Sequence, residues 1–285
     1  MGQYVRQGRD DRSLMLRGIG LAGCGRMGHP MLIALREAGF DARGFDVRPA
    51  AEYDATADLI SNDPEDFANG LKILISVVRD IDETEEVLFN TQGFIERAPD
   101  LRWIILSSTL SPRYTRALRE RVPHHIRLID APMSGAQIAA QQKRLSFMLG
   151  GSIGDLDHLH PLFTAMGQHF HRMGPFGSGM SAKVLNNLLA ASSTAMTRLV
   201  LDWADQAGLD EAQLLDLIHT SSGQNWLASG FSEIEFARDG HAPDNTIGIL
   251  VKDVESALDD APEGADTTLP TAVRDMMRGL SPRDR

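Results

Sequence analysis

Cysteine and lysine are scarce in this chain of 285 residues. Its single cysteine, Cys24, cannot form an internal disulfide and leaves no thiolate cluster for zinc, so a reducing cytoplasm is the expected setting. Only four lysines, Lys72, Lys143, Lys183 and Lys252, stand against 24 arginines. Basic runs are missing too. With 39 acidic and 28 basic residues the formal net charge is −11, a poor match to a nucleic-acid groove or an anionic membrane, because neither counterion release nor steering would favour contact. The first residues, MGQYVRQGRDDRSLM, have neither the apolar core of a signal peptide nor the length of a membrane span. Residues 1–14 are expected to be a flexible extension, and Arg6 stands where a myristoylation signal wants Ser or Thr. Internal repeats and low-complexity segments are absent.

What is present is an ordinary globular composition, 42% hydrophobic and 24% charged, long enough for one large domain or two of moderate size. Short apolar runs alternate with amphipathic stretches, the pattern of a parallel sheet wrapped by helices. The candidate strands are Leu16 to Ala22, Asp41 to Asp46, Ile73 to Val77, Trp103 to Leu106, Ile126 to Ile129 and Ser146 to Leu149. Met31, Leu32 and Leu35 mark a helix that stops at Gly39. After Gly177-Ser178-Gly179 the texture changes, and Met180 to Ala207 runs without Pro or Gly, apolar on more than one face. Further helices are expected at Glu211 to Thr220, Asn225 to Arg238 and Ile247 to Leu258. The reading is a Rossmann-type α/β domain with a parallel sheet over 15–177, then an all-α domain over 178–285 entered through a long helix. Its apolar faces outnumber the helices available to cover them, which predicts a homodimer or homotetramer.

Gly23-Cys24-Gly25-Arg26-Met27-Gly28 follows a strand and opens a helix, the context that gives a G-x-G-x-x-G turn meaning. The first glycine permits the turn, the second lets backbone approach a pyrophosphate, and the third lets helix and strand pack closely. The helix N-terminus then offers N–H groups and partial positive charge to the phosphates. Asp46, eighteen positions after Gly28, can accept hydrogen bonds from the adenosine ribose hydroxyls. That favours NAD, while Arg48 could pair with a 2′-phosphate and keeps NADP open.

A dinucleotide site leaves the reaction undecided. Ser108-Thr109-Leu110-Ser111-Pro112 follows a strand, so Thr109 would sit at the carboxyl edge of the sheet, or the segment is simply a helix cap. In Asp130 to Ala136, the Ser134 hydroxyl with neighbouring N–H groups could hold a carboxylate, or the segment is a plain turn. Lys183 and Asn187 are four residues apart and share one helix face. A lysine in an apolar helix must snorkel, pair or do chemistry. Its ordinary pKa of roughly 10.4 falls on desolvation, which would let the amine exchange a proton with a hydroxyl.

These motifs together resemble the β-hydroxyacid dehydrogenase family, which includes 3-hydroxyisobutyrate dehydrogenase and tartronate semialdehyde reductase and is related to 6-phosphogluconate dehydrogenase. The resemblance runs from Leu16 to about Pro270. It rests on the turn Gly20 to Met31, on Asp130 to Gly135 with Arg144-Leu145 and Gly150-Gly151, on Gly177-Ser178-Gly179 with Lys183 and Asn186-Asn187, and on Lys252-Asp253-Val254. It implies an NAD(P)-dependent enzyme interconverting a small β-hydroxy acid and its 3-oxo acid or semialdehyde. Lys183 would be the catalytic acid and base and Asn187 its orienting partner. Ser134, Gly135, Ala136 and Lys252 would bind an anionic substrate. Gly23, Gly25, Arg26, Met27, Gly28 and Asp46 would hold the adenosine and pyrophosphate, with Val77, Val78, Thr109 and Lys252 toward the nicotinamide.

Departures from the family pattern fall around the substrate and cofactor edges. Leu106 replaces a frequent aspartate, Ala136, Ala139 and Lys143 replace glycines, and Val77-Val78-Arg79 replaces Met-Leu-Pro. They point to a changed substrate rather than a lost activity. Two other readings compete: a reductase of imines or another carbonyl, and a non-catalytic dinucleotide-binding module. Retention of Lys183 argues against both. His124, His125, His158, His160, His169 and His171 lack an accompanying acidic and cysteine pattern and are expected at the surface or strand edges rather than on a metal. Lys183 and Lys252 thus fall in motifs where an amine is required, which a guanidinium cannot replace as a base.

Overall fold

The computed structural model describes residues 16–284, so the expected extension at 1–14 lies outside the described residues. The chain divides into two compact units, one ending at Lys183 and the other beginning at Val184. The division falls inside a helix, slightly beyond the boundary expected at 177.

The first unit is built on strands β1 (Ile19–Ala22), β2 (Ala42–Phe45), β3 (Ile60–Ser61), β4 (Ile73–Ser76), β5 (Trp103–Leu106), β6 (Arg127–Asp130), β7 (Met133–Ser134), β8 (Leu145–Gly150) and β9 (Gly167–Gly174). They form one sheet in the order β3-β2-β1-β4-β5-β6-β8-β7, with β9 paired to β8. β1 to β6 run parallel. Every residue of β1 (IGLA) and β4 (ILIS) is buried, as a parallel strand covered on both faces requires. One face packs on the helices Gly28–Glu37 and Ile153–Met166 through Met31, Leu32, Leu35, Leu159 and Phe163. On the other, Phe45, Phe67 and Phe94 meet at ring separations of 4.9 to 5.4 Å.

The sheet is mostly parallel, as expected of a Rossmann-type domain, and the exception is β8, which runs antiparallel to β6 and β7. Only the short helix Ala136–Gln141 and its flanking turns separate β7 from β8, too little chain for the dozen or more residues of a parallel crossover. β9, GQHFHRMG, was not foreseen because it is largely polar and exposed. It carries His169 and His171, while His158 stacks on Trp103 from a helix.

In the second unit the helix beginning at Ser178 continues to Ala207 and is followed by Glu211–Thr220, Trp226–Ser229, Thr246–Asp259 and Thr268–Arg278. Asp210, Asn225 and Asn245 each cap the helix they precede. The helix expected over Asn225 to Arg238 shrinks to one turn, since Gly230 ends it and turns follow. Thr268–Arg278 was not anticipated. The buried side chain of Arg283 pairs with Asp202, Asp205 and Glu211 at 2.7 to 2.8 Å and fastens the chain end to the unit. Among the described residues no helix is long and apolar enough to cross a membrane.

Candidate active site

The sheet reverses its order at β1, flanked by β2 and β4, and ligands of open α/β sheets lie beyond the carboxyl ends of the strands at such a point. Gly23 adopts a φ of +93°, and a Cβ there would stand 2.6 Å from the Val77 carbonyl oxygen. At Gly28 a Cβ would stand 1.9 Å from the Gly23 carbonyl oxygen. Gly25 differs, with nothing within 4 Å of its would-be Cβ. Two glycines thus close the turn, and the middle one opens onto the space a pyrophosphate needs. The residues fit a dinucleotide.

Asp46 follows β2 and is buried. Its Oδ2 accepts the Cys24 N–H at 2.8 Å and its Oδ1 accepts the backbone and Nε of Arg48, both at 3.1 Å. Burial opposes its ionisation, yet the hydrogen bonds from Arg48, with Tyr53, outweigh that and hold the carboxyl below the usual range. Arg48 also donates to the Tyr53 hydroxyl at 2.6 Å and lies 5.2 Å from the ring centroid. Its side chain is 47% exposed, so the guanidinium presents positive charge beside the acid. Sequence reasoning found Arg48 but missed Tyr53, which no spacing rule flags. Burial, followed by the Asp46 charge, pushes the Cys24 thiol up to about 12; this cysteine is not a nucleophile.

The remaining first-unit candidates form a row along the same edge. Val77 and Val78 follow β4, Thr109 follows β5, and Ser134 lies in β7, just past β6. Arg26 is exposed, and Met27 and Thr109 are half-buried. Ser111 caps the helix Pro112–Arg121, its hydroxyl accepting the Tyr114 N–H, so Thr109 is not the cap. Gly135 and Ala136 are exposed. Ala136 and Lys143 hold left-handed backbones, with φ of 52° and 56°, a conformation that favours glycine. Lys143 pairs with Glu37 at 2.6 Å on the surface.

The edge is joined to the long helix by Asp130. This carboxylate, fully buried, accepts the N–H groups of Gly177 at 2.7 Å and Met180 at 2.6 Å. Burial pushes its carboxyl above the ordinary range, against the pull of those backbone hydrogen bonds. Lys183 follows one turn later and is 7% exposed.

One further turn along the helix is Asn187, which is also buried and whose Nδ2 donates to the Asp253 Oδ2 at 2.5 Å. Asp253, from the helix Thr246–Asp259, pairs through Oδ1 with the Lys252 ammonium at 3.0 Å. Sequence reasoning quoted Asp253 within the Lys252-Asp253-Val254 motif but gave a role only to Lys252. The clue was available in the motif itself, since an aspartate on the apolar face of a helix must be partnered.

Residues 18–174 match the family described as the NAD binding domain of 6-phosphogluconate dehydrogenase. Residues 177–283 match the NAD-binding domain of NADP-dependent 3-hydroxyisobutyrate dehydrogenase. The mitochondrial 3-hydroxyisobutyrate dehydrogenase of Rattus norvegicus is 28% identical over 252 residues, covering 85% of this chain and 75% of that protein. An NAD-dependent L-serine dehydrogenase of Pseudomonas aeruginosa is 31% identical over 217 residues, covering 74% and 72%. Among solved structures, the Mycobacterium tuberculosis 3-hydroxyisobutyrate dehydrogenase with L-serine superposes with a TM-score of 0.75 at 25% identity, covering 93% of this chain and 94% of that one.

Proposed function

Because the chain belongs to the β-hydroxyacid dehydrogenase family, we propose that it interconverts a small β-hydroxy acid and its 3-oxo acid or semialdehyde, with Lys183 as acid and base. Its cofactor is NAD, with NADP the alternative. The first unit is assigned to the dinucleotide and the second to substrate and self-association. The bound dinucleotide supplies the hydride chemistry.

The observation that carries this reading is a buried lysine one helical turn from an asparagine whose amide is committed to a buried carboxylate. In oxidation Lys183 takes the proton of the substrate hydroxyl, and in reduction it returns one. Asn187 cannot turn freely, because only its NH₂ side can donate to Asp253; it orients the same oxygen. Ser134 and Gly135 hold the substrate carboxylate, which the exposed Ala136 crowds with a methyl group absent from glycine. Thr109, Val77 and Val78 border the nicotinamide end, and Lys252 adds positive charge toward the anionic substrate. L-serine and 3-hydroxyisobutyrate relatives share a hydroxyl β to a carboxylate, which supports the substrate class.

The test is absorbance at the reduced-nicotinamide band over a panel of 3-hydroxy acids, with NAD and then NADP. Turnover of at least one member is expected, and silence across the panel would sink the reading.

We also infer self-association through the long helix. Leu185, Leu189, Met196 and Trp203 are all exposed and fall within about 40° of one another around a helix of 3.6 residues per turn. Such a stripe, some 27 Å long at 1.5 Å per residue, suits the same stripe of a second copy. A monomer mass at micromolar concentration would overturn this.

A further inference from the structure

Asp130 does not enter the proton transfer proposed for Lys183, yet two other stretches of the chain, at Gly150 and at Gly177 to Met180, close around it. We propose that Asp130 is a positioning residue, which fixes the first turn of the long helix, and with it Lys183, against the carboxyl edge of the sheet. The inference rests on the dehydrogenase reading for its kinetic consequence, though not for its geometry.

An ordinary helix cap is local, contributed by the residue just before the helix. Here the carboxylate comes from the end of β6, separated by 47 residues from Gly177 and by 50 from Met180. Helix position is therefore set by the sheet rather than by the preceding loop. Both oxygens are used, each on a backbone N–H of the positive end of the helix, where a negative charge is favoured.

The surroundings are shaped to this carboxylate. Gly150, paired with Asp130 in the sheet, could carry no side chain, because its Cβ would fall 2.1 Å from Oδ1. At Gly179 a Cβ would stand 2.3 Å from the Met148 carbonyl oxygen and 3.0 Å from Oδ2. A glycine at the end of β8 and another in the first turn of the long helix thus make room for the acid at the end of β6. A second fastening lies alongside: the Leu110 N–H points to the sulfur of Met180 at 3.3 Å, which ties the Thr109 loop to the same helical turn. Cofactor edge, substrate loop and lysine share one mechanical reference point.

The test compares D130N and D130A with the parent protein in kcat, substrate KM, dinucleotide Kd and amide hydrogen exchange. Misplacing a catalytic group by about 1 Å can cost roughly 100-fold in rate, so D130A should lose on that order in kcat while dinucleotide Kd stays within about threefold. D130N keeps one acceptor oxygen and should recover part of the loss. Exchange should accelerate in 177–183 and not across β1 or β4. A purely structural role would instead lower the active fraction and raise exchange everywhere. If D130A does not fold, the isosteric D130N carries the test through the same kcat, Kd and exchange readings. Parental kcat in a folded variant, or unchanged exchange at 177–183, overturns the proposal. If the parent turns over no hydroxy acid, the dehydrogenase reading falls while the exchange measurement still decides whether Asp130 holds the helix.

Discussion

Asn187 donates its side-chain amide to Asp253 across 2.5 Å, and the other oxygen of Asp253 holds Lys252 at 3.0 Å. One buried carboxylate therefore governs two residues of the proposed site. D253N leaves one acceptor oxygen for two donors, so either Asn187 or Lys252 must face an amide NH₂ and lose its bond. A fall in kcat of about tenfold or more is expected, with a stability loss of roughly 1–3 kcal/mol from the broken hydrogen bond to a charged group. Urea unfolding and steady-state kinetics on the same preparation check both.

K183M removes the amine and keeps most of the apolar length. General acid–base catalysis contributes about 10²–10⁴-fold, so kcat should drop by that range while dinucleotide binding, followed by fluorescence titration, is retained. Parental turnover in K183M would show that the proton moves elsewhere.

Arg48 is expected to discriminate between the two cofactors. Its half-exposed guanidinium can meet a 2′-phosphate that Asp46 alone would repel. A hydrogen bond to a charged group is worth about 1.5–3 kcal/mol, which predicts that R48A raises KM for NADP by roughly 10-fold or more and alters KM for NAD by less than about threefold. Equal effects on both cofactors would contradict this role.

Stability at acid pH should report on Asp46. Held below its ordinary range by Arg48 despite its burial, this carboxyl binds a proton less readily folded than unfolded. Its contribution is complete above about pH 4 and is lost as pH falls through the lower folded value. Asp130, pushed up by burial, acts in the opposite sense, contributing most below about pH 4 and less as pH rises through its raised value. The stability gap between parent and D46N should therefore narrow from pH 6 toward pH 3, and a constant gap would refute the assignment.

Ala136 keeps a left-handed backbone without being glycine, a strain of about 1–3 kcal/mol. A136G should raise the unfolding midpoint by about 2–4 °C per kcal/mol recovered. It should also admit substrates that the methyl excludes. A lower midpoint would mean that the loop prefers alanine for another reason.

The parts of the fold legible in the sequence were those in which local pattern and burial agree. IGLA and ILIS read as buried strands and are buried, and Met31, Leu32 and Leu35 mark the inner face of their helix. β9 escaped because its polar residues carry no alternation, and its place depends on β8 alongside it. Asn225 to Arg238 read as a helix on its apolar spacing, which Gly230 overrides. At the candidate site the glycine turn, Asp46, Lys183 and Asn187 could be picked out by residue type and position. Tyr53 and the capping by Asp130 could not, because each depends on a partner brought near only by folding; Asp253 stood in a quoted motif, but its bond to Asn187 is likewise a product of folding.

Cys24 has one more consequence. The residue is 1% exposed, its thiol is directed at the Leu21 carbonyl oxygen at 3.8 Å, and burial pushes it up to about 12, so it should stay silent toward maleimides while the protein remains folded. The natural chain is therefore already a clean background for chemistry at chosen sites. A cysteine introduced at Leu189 would be its one reactive thiol among the described residues, able to carry a spin label or a fluorophore without prior engineering, and to report by distance whether two long helices meet.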